Sequence, residues 1–366
     1  MTNKIIAFAP ASVGNAGSFY DLLGYALCDI GDFIELEKVD QVEDLLIWNK
    51  VMAGSAAKDI ISLDHTENSA WIAASRIIDD HWKPKRRDFS LSLTLHKNLP
   101  IGSGLGSSAA SAVAAVKAVV EILKLNLTVG EIINALKTAE EATSGNGCPD
   151  NIIPSYFGGL CLIDEDVLGD RCLSSGKTYT KINGGQDMIS VIVYPEISVL
   201  TMESRRAVRE YIYKQYLDYR FIDTGLDRAA LNILNLVRVE SVKAAGFLIA
   251  FMQNDISRVG AIMHNSTLLE GARSHLIPNF LLVKNAAIDA GAYGCTISGA
   301  GPAVVAITDA HEKAEKIRDS MMSAFLPIRT RWLISKMNHA GVSIIDSVEE
   351  FIERARINNN FCDVIA

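Results

Sequence analysis

Hydrophobic and polar residues recur along the chain with two periods, one of strands and one of helices, and these can be assigned segment by segment. Residues 4–9 and 31–37 predict strands on either side of a loop at Asn15. Ala70, Ile72, Ala73 and Ile77 give 68–80 the spacing of a helix. Across 89–95 the alternation is strict, with Phe89, Leu91, Leu93 and Leu95 on one face and Ser90, Ser92 and Thr94 on the other. That predicts a half-exposed strand, unlike the unbroken apolar run of a strand inside a parallel sheet. An Ala-rich helical run follows. Thr128 and Glu131 have the spacing of a capping box for a helix reaching about Thr143, and Ser144-Gly145-Asn146-Gly147 ends it.

Further along, strands are predicted at 159–163 and 188–194. Helices follow near 204–217, 226–238, 240–252 and 279–290, the last stopped by Gly291. Strands near 294–298 and 303–307, a helix at 311–324 and a strand near 329–336 complete the regular part. The Gly-, Ser- and Asp-rich stretch 164–187 is the expected boundary, dividing a domain over 1–172 from one over 185–345. Residues 346–366 read as a charged helical tail, a packing or crystal-stabilised appendage. No internal repeat is visible. The pattern is that of an α+β protein in two halves, with helices covering one face of each sheet.

Composition narrows the function more than the fold. A chain of 366 residues is long enough for two domains sharing an interface. Its 49% hydrophobic and 21% charged residues are those of a folded soluble protein. A formal net charge of −8 argues against a nucleic-acid role. Lys83, Lys85, Arg86 and Arg87 form a dense basic run, read as a solvated loop face, with a contact near nucleotide phosphates as the alternative. The 6 cysteines are scattered without CxxC spacing, which predicts reduced thiols in a cytoplasmic protein and no zinc site. Met1-Thr2-Asn3-Lys4 runs directly into a strand with no signal peptide visible, and the apolar run Ala109–Val120 is too short to cross a bilayer, so no membrane role is expected.

The most informative stretch is Pro100-Ile101-Gly102-Ser103-Gly104-Leu105-Gly106-Ser107-Ser108, ahead of the Ala-rich helix. Glycines at alternate positions let the backbone bend tightly and approach a ligand closely. A glycine loop opening a helix aims free N–H groups and the positive end of the helix dipole at one spot, which makes an anion site suited to phosphate. No Lys follows the last glycine as a Walker loop requires, and a dinucleotide fingerprint would need glycine where Ser107 stands.

This segment resembles the phosphate loop of the GHMP small-molecule kinases. Two more motifs of that family occur in the same order: Ala9-Pro10-Ala11-Ser12-Val13-Gly14-Asn15-Ala16-Gly17, and Gly294-Cys295-Thr296-Ile297-Ser298-Gly299-Ala300-Gly301-Pro302-Ala303. Within the family the homoserine kinases are most similar, over about residues 5–345. The linking features are Asn15 with Asp21, Asp150-Asn151 before Gly158-Gly159, Pro195 through Arg205, and Arg273 before Leu276-Ile277-Pro278-Asn279. The resemblance implies the GHMP kinase fold, two α/β domains with nucleotide and substrate sites in the cleft between them. It implies a cytoplasmic enzyme that uses ATP and Mg2+ to phosphorylate L-homoserine in threonine biosynthesis, and it allows a homodimer.

By resemblance, residues 100–108 bind the nucleotide, and Ser108 and Glu140 are the magnesium ligands. Adjacent helix residues point about 100° apart, so only one of Glu140 and Glu141 can face the loop. Arg205 and Arg273 fall at the carboxylate-binding positions, and the spacing from Pro195 favours Arg205 over Arg206. Guanidinium groups suit this task because they grip a carboxylate bidentately. Asp21 would neutralise the substrate ammonium, and Asn15 and Asn151 would hold its hydroxyl and backbone. Asn15, Asp150, Asn151 and Arg205 are the candidate catalytic residues. Whether Asp150 acts as a general base is open, since an ordinary carboxylate is a weak base for an alcohol.

One motif departs from the family. Homoserine kinases usually carry His-x-Asp-Asn, whereas this chain has Cys148-Pro149-Asp150-Asn151. A thiol is smaller and a weaker donor than imidazole, which puts the choice of substrate in question; Cys148 is read as lining the substrate pocket. Two alternatives therefore stay open: a GHMP kinase for another small alcohol such as mevalonate, and a non-catalytic ligand sensor on the same fold. Asp21 favours an amino acid, and the intact loop with Ser108 and Glu140 favours catalysis.

Overall fold

Two long strands, β1 (Lys4–Gly14) and β2 (Leu23–Val39), pair antiparallel and form the spine of a mixed sheet. The computed structural model describes residues 3–15, 17, 19–41, 44–53, 67–83, 88–145, 149–163, 179–217 and 225–358. Strands β3 (Leu46–Ala53) and β4 (Ser90–Lys97) extend this sheet beyond β2, with β3 and β4 parallel to each other. Strands β5 (Leu160–Ile163) and β6 (Tyr179–Ile182) add to the other end of β2.

Helices α1 (Ser69–His81), α2 (Ser107–Leu123) and α3 (Val129–Ser144) pack with this sheet into the main core. Each start is set locally. Asn68 caps α1 by accepting from the Ala70 N–H at 3.0 Å. Thr128 and Glu131 make the expected capping box of α3. α2 starts after the left-handed Gly106 with no side-chain cap. A short helix, α4 (Ile152–Phe157), follows the Asp150-Asn151 pair.

The second sheet is antiparallel. It contains β7 (Ile189–Pro195), β8 (Gly294–Ile297), β9 (Val304–Thr308) and β10 (Thr330–Lys336), in the spatial order β10-β7-β9-β8. Between β7 and β8 lie α5 (Thr201–Ile212), α6 (Gly225–Met252), α7 (Ile256–His264), α8 (Thr267–Arg273) and α9 (Phe280–Asp289). Helix α10 (His311–Phe325) precedes β10. Then β11 (Ser343–Ile345) returns to pair with β1, and α11 (Val348–Asn358) follows.

Several expectations change. The predicted helices at 226–238 and 240–252 are one helix, α6; from 226 to 245 there is no glycine or proline to interrupt it. The second sheet is covered on both faces. Val283, Ile317 and Phe325 pack on one side of it, and the opposite residues Ile192, Val305 and Leu333 join the main core with Phe247 and Val259. The serine face of β4 is largely closed: Ser90 and Thr94 are buried and Ser92 half-buried, because β3 and its lead-in supply partners. The Ser90 hydroxyl donates to the Asp44 carbonyl at 2.8 Å, and Asn49 Nδ2 donates to Thr94 Oγ1 at 3.0 Å. The outer face of the first sheet is closed by α11, whose Phe351 ring lies 4.2 Å from that of Phe8. Among the described residues, no helix is long and apolar enough to cross a membrane.

Candidate active site

A cleft of about 430 Å³ opens where the two sheets meet, walled by the glycine loop, the ends of α1 and α3, and the segments around Asn15, Asp150, Leu200 and Gly299. Backbone and side-chain bonds join the three glycine-containing motifs. Ser12 N donates to the Leu105 carbonyl at 3.1 Å, Gly299 N to the Gly14 carbonyl at 3.0 Å, and Ala303 N to the Ser103 carbonyl at 3.0 Å. The Ser298 hydroxyl donates to the Gly104 carbonyl at 2.8 Å. Gly104 has φ of +81°, and a Cβ there would lie 2.4 Å from the Ser298 carbonyl oxygen. Only glycine satisfies both the backbone conformation and the close approach.

From this loop Ile101, Gly102, Ser103, Gly104, Gly106, Ser107 and Ser108 reach the cleft. Pro100 and Leu105 do not; the Leu105 side chain is fully buried in the main core. Beyond the loop, the Ser108 hydroxyl donates to Glu140 Oε1 at 2.5 Å, and Ser144 Oγ lies 3.3 Å from Oε2. Glu140 is buried, whereas its neighbour Glu141 is exposed, as helix phase predicts. Burial raises the Glu140 carboxyl above its ordinary range, opposed by the Ser108 and Ser144 hydroxyls and the charges of Lys97 and Arg205. The Ser108 hydroxyl and this carboxylate form a pair of hard oxygen donors at the start of α2. Among the described residues, no group of three or more His, Cys, Asp or Glu side chains is arranged to hold a metal.

Opposite the loop, Asn15 sits in a left-handed conformation with φ of 52°. Its Nδ2 donates to Asp150 Oδ2 at 3.1 Å, and its Oδ1 accepts the Asp21 N–H at 2.8 Å. Asn151 Nδ2 donates to Asp150 Oδ1 at 3.2 Å, and Ser12 Oγ donates to Asn151 Oδ1 at 3.0 Å. Arg205 holds Asp21 bidentately, at 2.8 Å and 3.1 Å, and also donates to the Tyr20 hydroxyl at 3.1 Å. Arg206 points elsewhere, with 70% of its side chain exposed. Arg273 is 2% exposed and donates to the Gly299 carbonyl at 2.8 Å, while its Nε is buried without a partner. Desolvation lowers its pKa below the ordinary arginine value. Tyr20 contacts both guanidinium groups, its ring centre 5.6 Å from Arg205 and 5.5 Å from Arg273.

Asn15, Glu140, Asp150, Asn151, Arg205 and Arg273 thus converge on one cleft. Asp21 reaches the group through Arg205 and is not part of the wall. Cys148, and Lys85, Arg86 and Arg87 of the basic run, lie outside the described residues, and Lys83 is exposed. Sequence reasoning missed Tyr20 and the buried pair Lys97–Asp32 under the glycine loop. A lysine ending an alternating strand reads as solvent-facing, so the available signal was faint: Lys97 lies three residues before Pro100.

Comparison with known proteins gives a consistent picture. The model of the GHMP kinases N terminal domain matches residues 68–159, and that of the GHMP kinases C terminal domain matches 247–328. The homoserine kinase of Arabidopsis thaliana is 33% identical over 349 residues, 94% of this chain and 85% of that protein. The crystal structure of homoserine kinase from Cytophaga hutchinsonii aligns with a TM-score of 0.77 at 28% identity, covering 94% of this chain and 98% of that one. L. major mevalonate kinase in complex with R-mevalonate aligns with a TM-score of 0.65 at 18% identity, over 93% and 97% of the two chains, a likeness of fold alone.

Proposed function

The chain belongs to the homoserine kinases of the GHMP kinase family, and we propose that it transfers the γ-phosphoryl group of ATP to the side-chain hydroxyl of L-homoserine. The products are O-phospho-L-homoserine, a precursor for threonine synthesis, and ADP. Phosphoryl transfer asks for positioning and charge neutralisation more than for covalent help from the protein. The glycine loop and the uncapped start of α2 offer backbone N–H donors to the nucleotide phosphates.

Ser108 and Glu140 fit a magnesium ion, which takes one or two protein oxygens alongside phosphates and retained waters. Ser108 and Glu140 would hold the ion, which would supply charge neutralisation for the transferred phosphoryl group. Burial of Glu140 suits this task, because a desolvated carboxylate gains most from a cation beside it.

The observation that carries the substrate assignment is the Arg205–Asp21–Arg273 group. Arg273 presents a buried guanidinium whose Nε lacks an acceptor, which an incoming carboxylate would supply. Arg205 and Asp21 pair with each other, a guanidinium with a carboxylate, and an amino acid carries the complement of both. Its carboxylate replaces Asp21 on Arg205, and its ammonium replaces Arg205 on Asp21. Mevalonate, a carboxylate without an ammonium, offers only half of that exchange. Asn15 and Asn151, both held by Asp150, orient the acceptor hydroxyl; with each Asp150 oxygen engaged by an amide, its role is to position them. The hydroxyl proton leaves to the oxygens of the transferred phosphoryl group.

An ADP-release assay over L-homoserine, L-serine, L-threonine and mevalonate tests the proposal. L-Homoserine is expected to give the largest kcat/KM. No turnover of it beside clear turnover of mevalonate would overturn the assignment.

A further inference from the structure

A buried ion pair beneath the glycine loop joins parts of the chain that are distant in sequence. Lys97, the last residue of β4, is 6% exposed, and Asp32, inside β2, is fully buried. Lys97 Nζ is paired with Asp32 Oδ2. It also donates to the Ser107 carbonyl and to Ser111 Oγ, each at 2.7 Å. These acceptors match the donors an ammonium offers, and Lys97 and Ser111 also line the cleft beside the loop. Ser111 Oγ in turn donates to Asp32 Oδ2 at 2.6 Å. The other carboxylate oxygen, Oδ1, accepts the N–H groups of Asn98 and Leu99, each at 2.9 Å.

The carboxylate therefore holds the residues that enter the loop, and the ammonium holds the first turn of the helix that leaves it. A buried pair of this kind gives little net stability over apolar side chains of similar size. It does fix the distance between the two ends of the loop. Preorganised donors stabilise developing charge without reorganising during the reaction.

We propose that Asp32 and Lys97 form a positioning clasp that sets the glycine loop for the nucleotide phosphates by bracing its two ends. The proposal rests on the kinase reading. It also predicts an effect opposite to simple electrostatics. On charge alone, Asp32→Asn would strengthen anion binding by removing a negative charge near the phosphates. As a clasp residue, its loss weakens binding.

The test is calorimetric titration of the full chain with MgADP, alongside thermal melting. Asp32→Asn/Lys97→Met replaces an ion pair by a neutral pair at unchanged net charge. It is expected to melt within about 4 °C of the wild type and to bind MgADP roughly tenfold more weakly, with KM for L-homoserine nearly unchanged. Asp32→Asn alone is also expected to weaken binding. Ser111→Ala keeps both charges and removes one link, so it reads the clasp even if the pair variants fail to fold; a loss of about threefold is expected. Unchanged MgADP affinity in Ser111→Ala or the double variant, or tighter binding by Asp32→Asn, overturns the clasp. Failure of the wild type to bind MgADP overturns the kinase reading and the clasp with it.

Discussion

Replacing Glu140 by alanine removes a carboxylate that is 8% exposed and accepts the Ser108 hydroxyl at 2.5 Å. As the proposed metal-holding group at the phosphates, it stabilises charge that develops during transfer. The loss of such an interaction is worth ~3 kcal/mol, and with each ~1.4 kcal/mol a factor of ten, kcat/KM is expected to fall on the order of 100-fold. Glu141→Ala, at an exposed position one residue away, is expected to leave the rate nearly unchanged. Glu140 also carries a stability cost with a definite sign. Burial holds its carboxyl above the ordinary range, so the folded chain binds that proton more tightly than the unfolded chain. The resulting stabilisation is complete below the ordinary carboxyl range and is lost as pH rises through the folded value. Glu140→Gln, neutral at every pH, is therefore expected to melt above the wild type at neutral pH without magnesium, with the gap closing in acid. Steady-state ADP release and differential scanning fluorimetry across pH measure both effects. A damaging Glu141→Ala with an active Glu140→Ala would refute the reasoning, as would a Glu140→Gln variant that melts below the wild type at neutral pH.

Arg205→Ala and Arg273→Ala are expected to raise KM for L-homoserine and leave KM for ATP nearly unchanged, each losing charge-assisted bonds worth about 1.5–3 kcal/mol; two-substrate kinetics separates the two constants. Gly104→Ala forces a left-handed alanine, costing ~1–2 kcal/mol, and brings its Cβ to 2.4 Å from the Ser298 carbonyl oxygen. It is expected to lower the melting temperature and weaken ATP binding, and calorimetry with an unchanged affinity would count against the loop's role. Cys148→His restores the imidazole usual in the family and is expected to keep activity, with homoserine KM lowered by up to about 1 kcal/mol equivalent. Loss of homoserine use in a folded, ATP-binding variant would point to a different acceptor.

Much of the site is legible in the sequence because its signals are local. Helix phase lets only one of Glu140 and Glu141 face the loop, the family resemblance picks Glu140, and the three glycine motifs mark the backbone turns that meet at the cleft. What escapes is pairing over distance. Asp32 and Lys97 lie 65 residues apart, and each looks like a solvated charge on an alternating strand until β2 and β4 are paired. Arg205 and Asp21 are 184 residues apart, so the sequence gives them separate tasks while the fold makes them partners. Tyr20 shows its use only once α5 and α8 bring two guanidinium groups within 5.6 Å and 5.5 Å of its ring centre. The burial of Ser90 and Thr94 in β4 escapes for a related reason: alternation reports polarity, and hydrogen bonds with β3 and its lead-in let polar groups go inside.

Substrate choice is tested most directly by competition in one vessel. The chain would be given ATP, Mg2+ and equal concentrations of L-homoserine and mevalonate, with the products followed by phosphorus NMR. O-Phospho-L-homoserine is expected to accumulate first and nearly alone, because Arg205, Asp21 and Arg273 together match an amino acid. Accumulation of phosphomevalonate instead, or of no phosphorylated alcohol while the protein still binds ATP, would contradict the assignment.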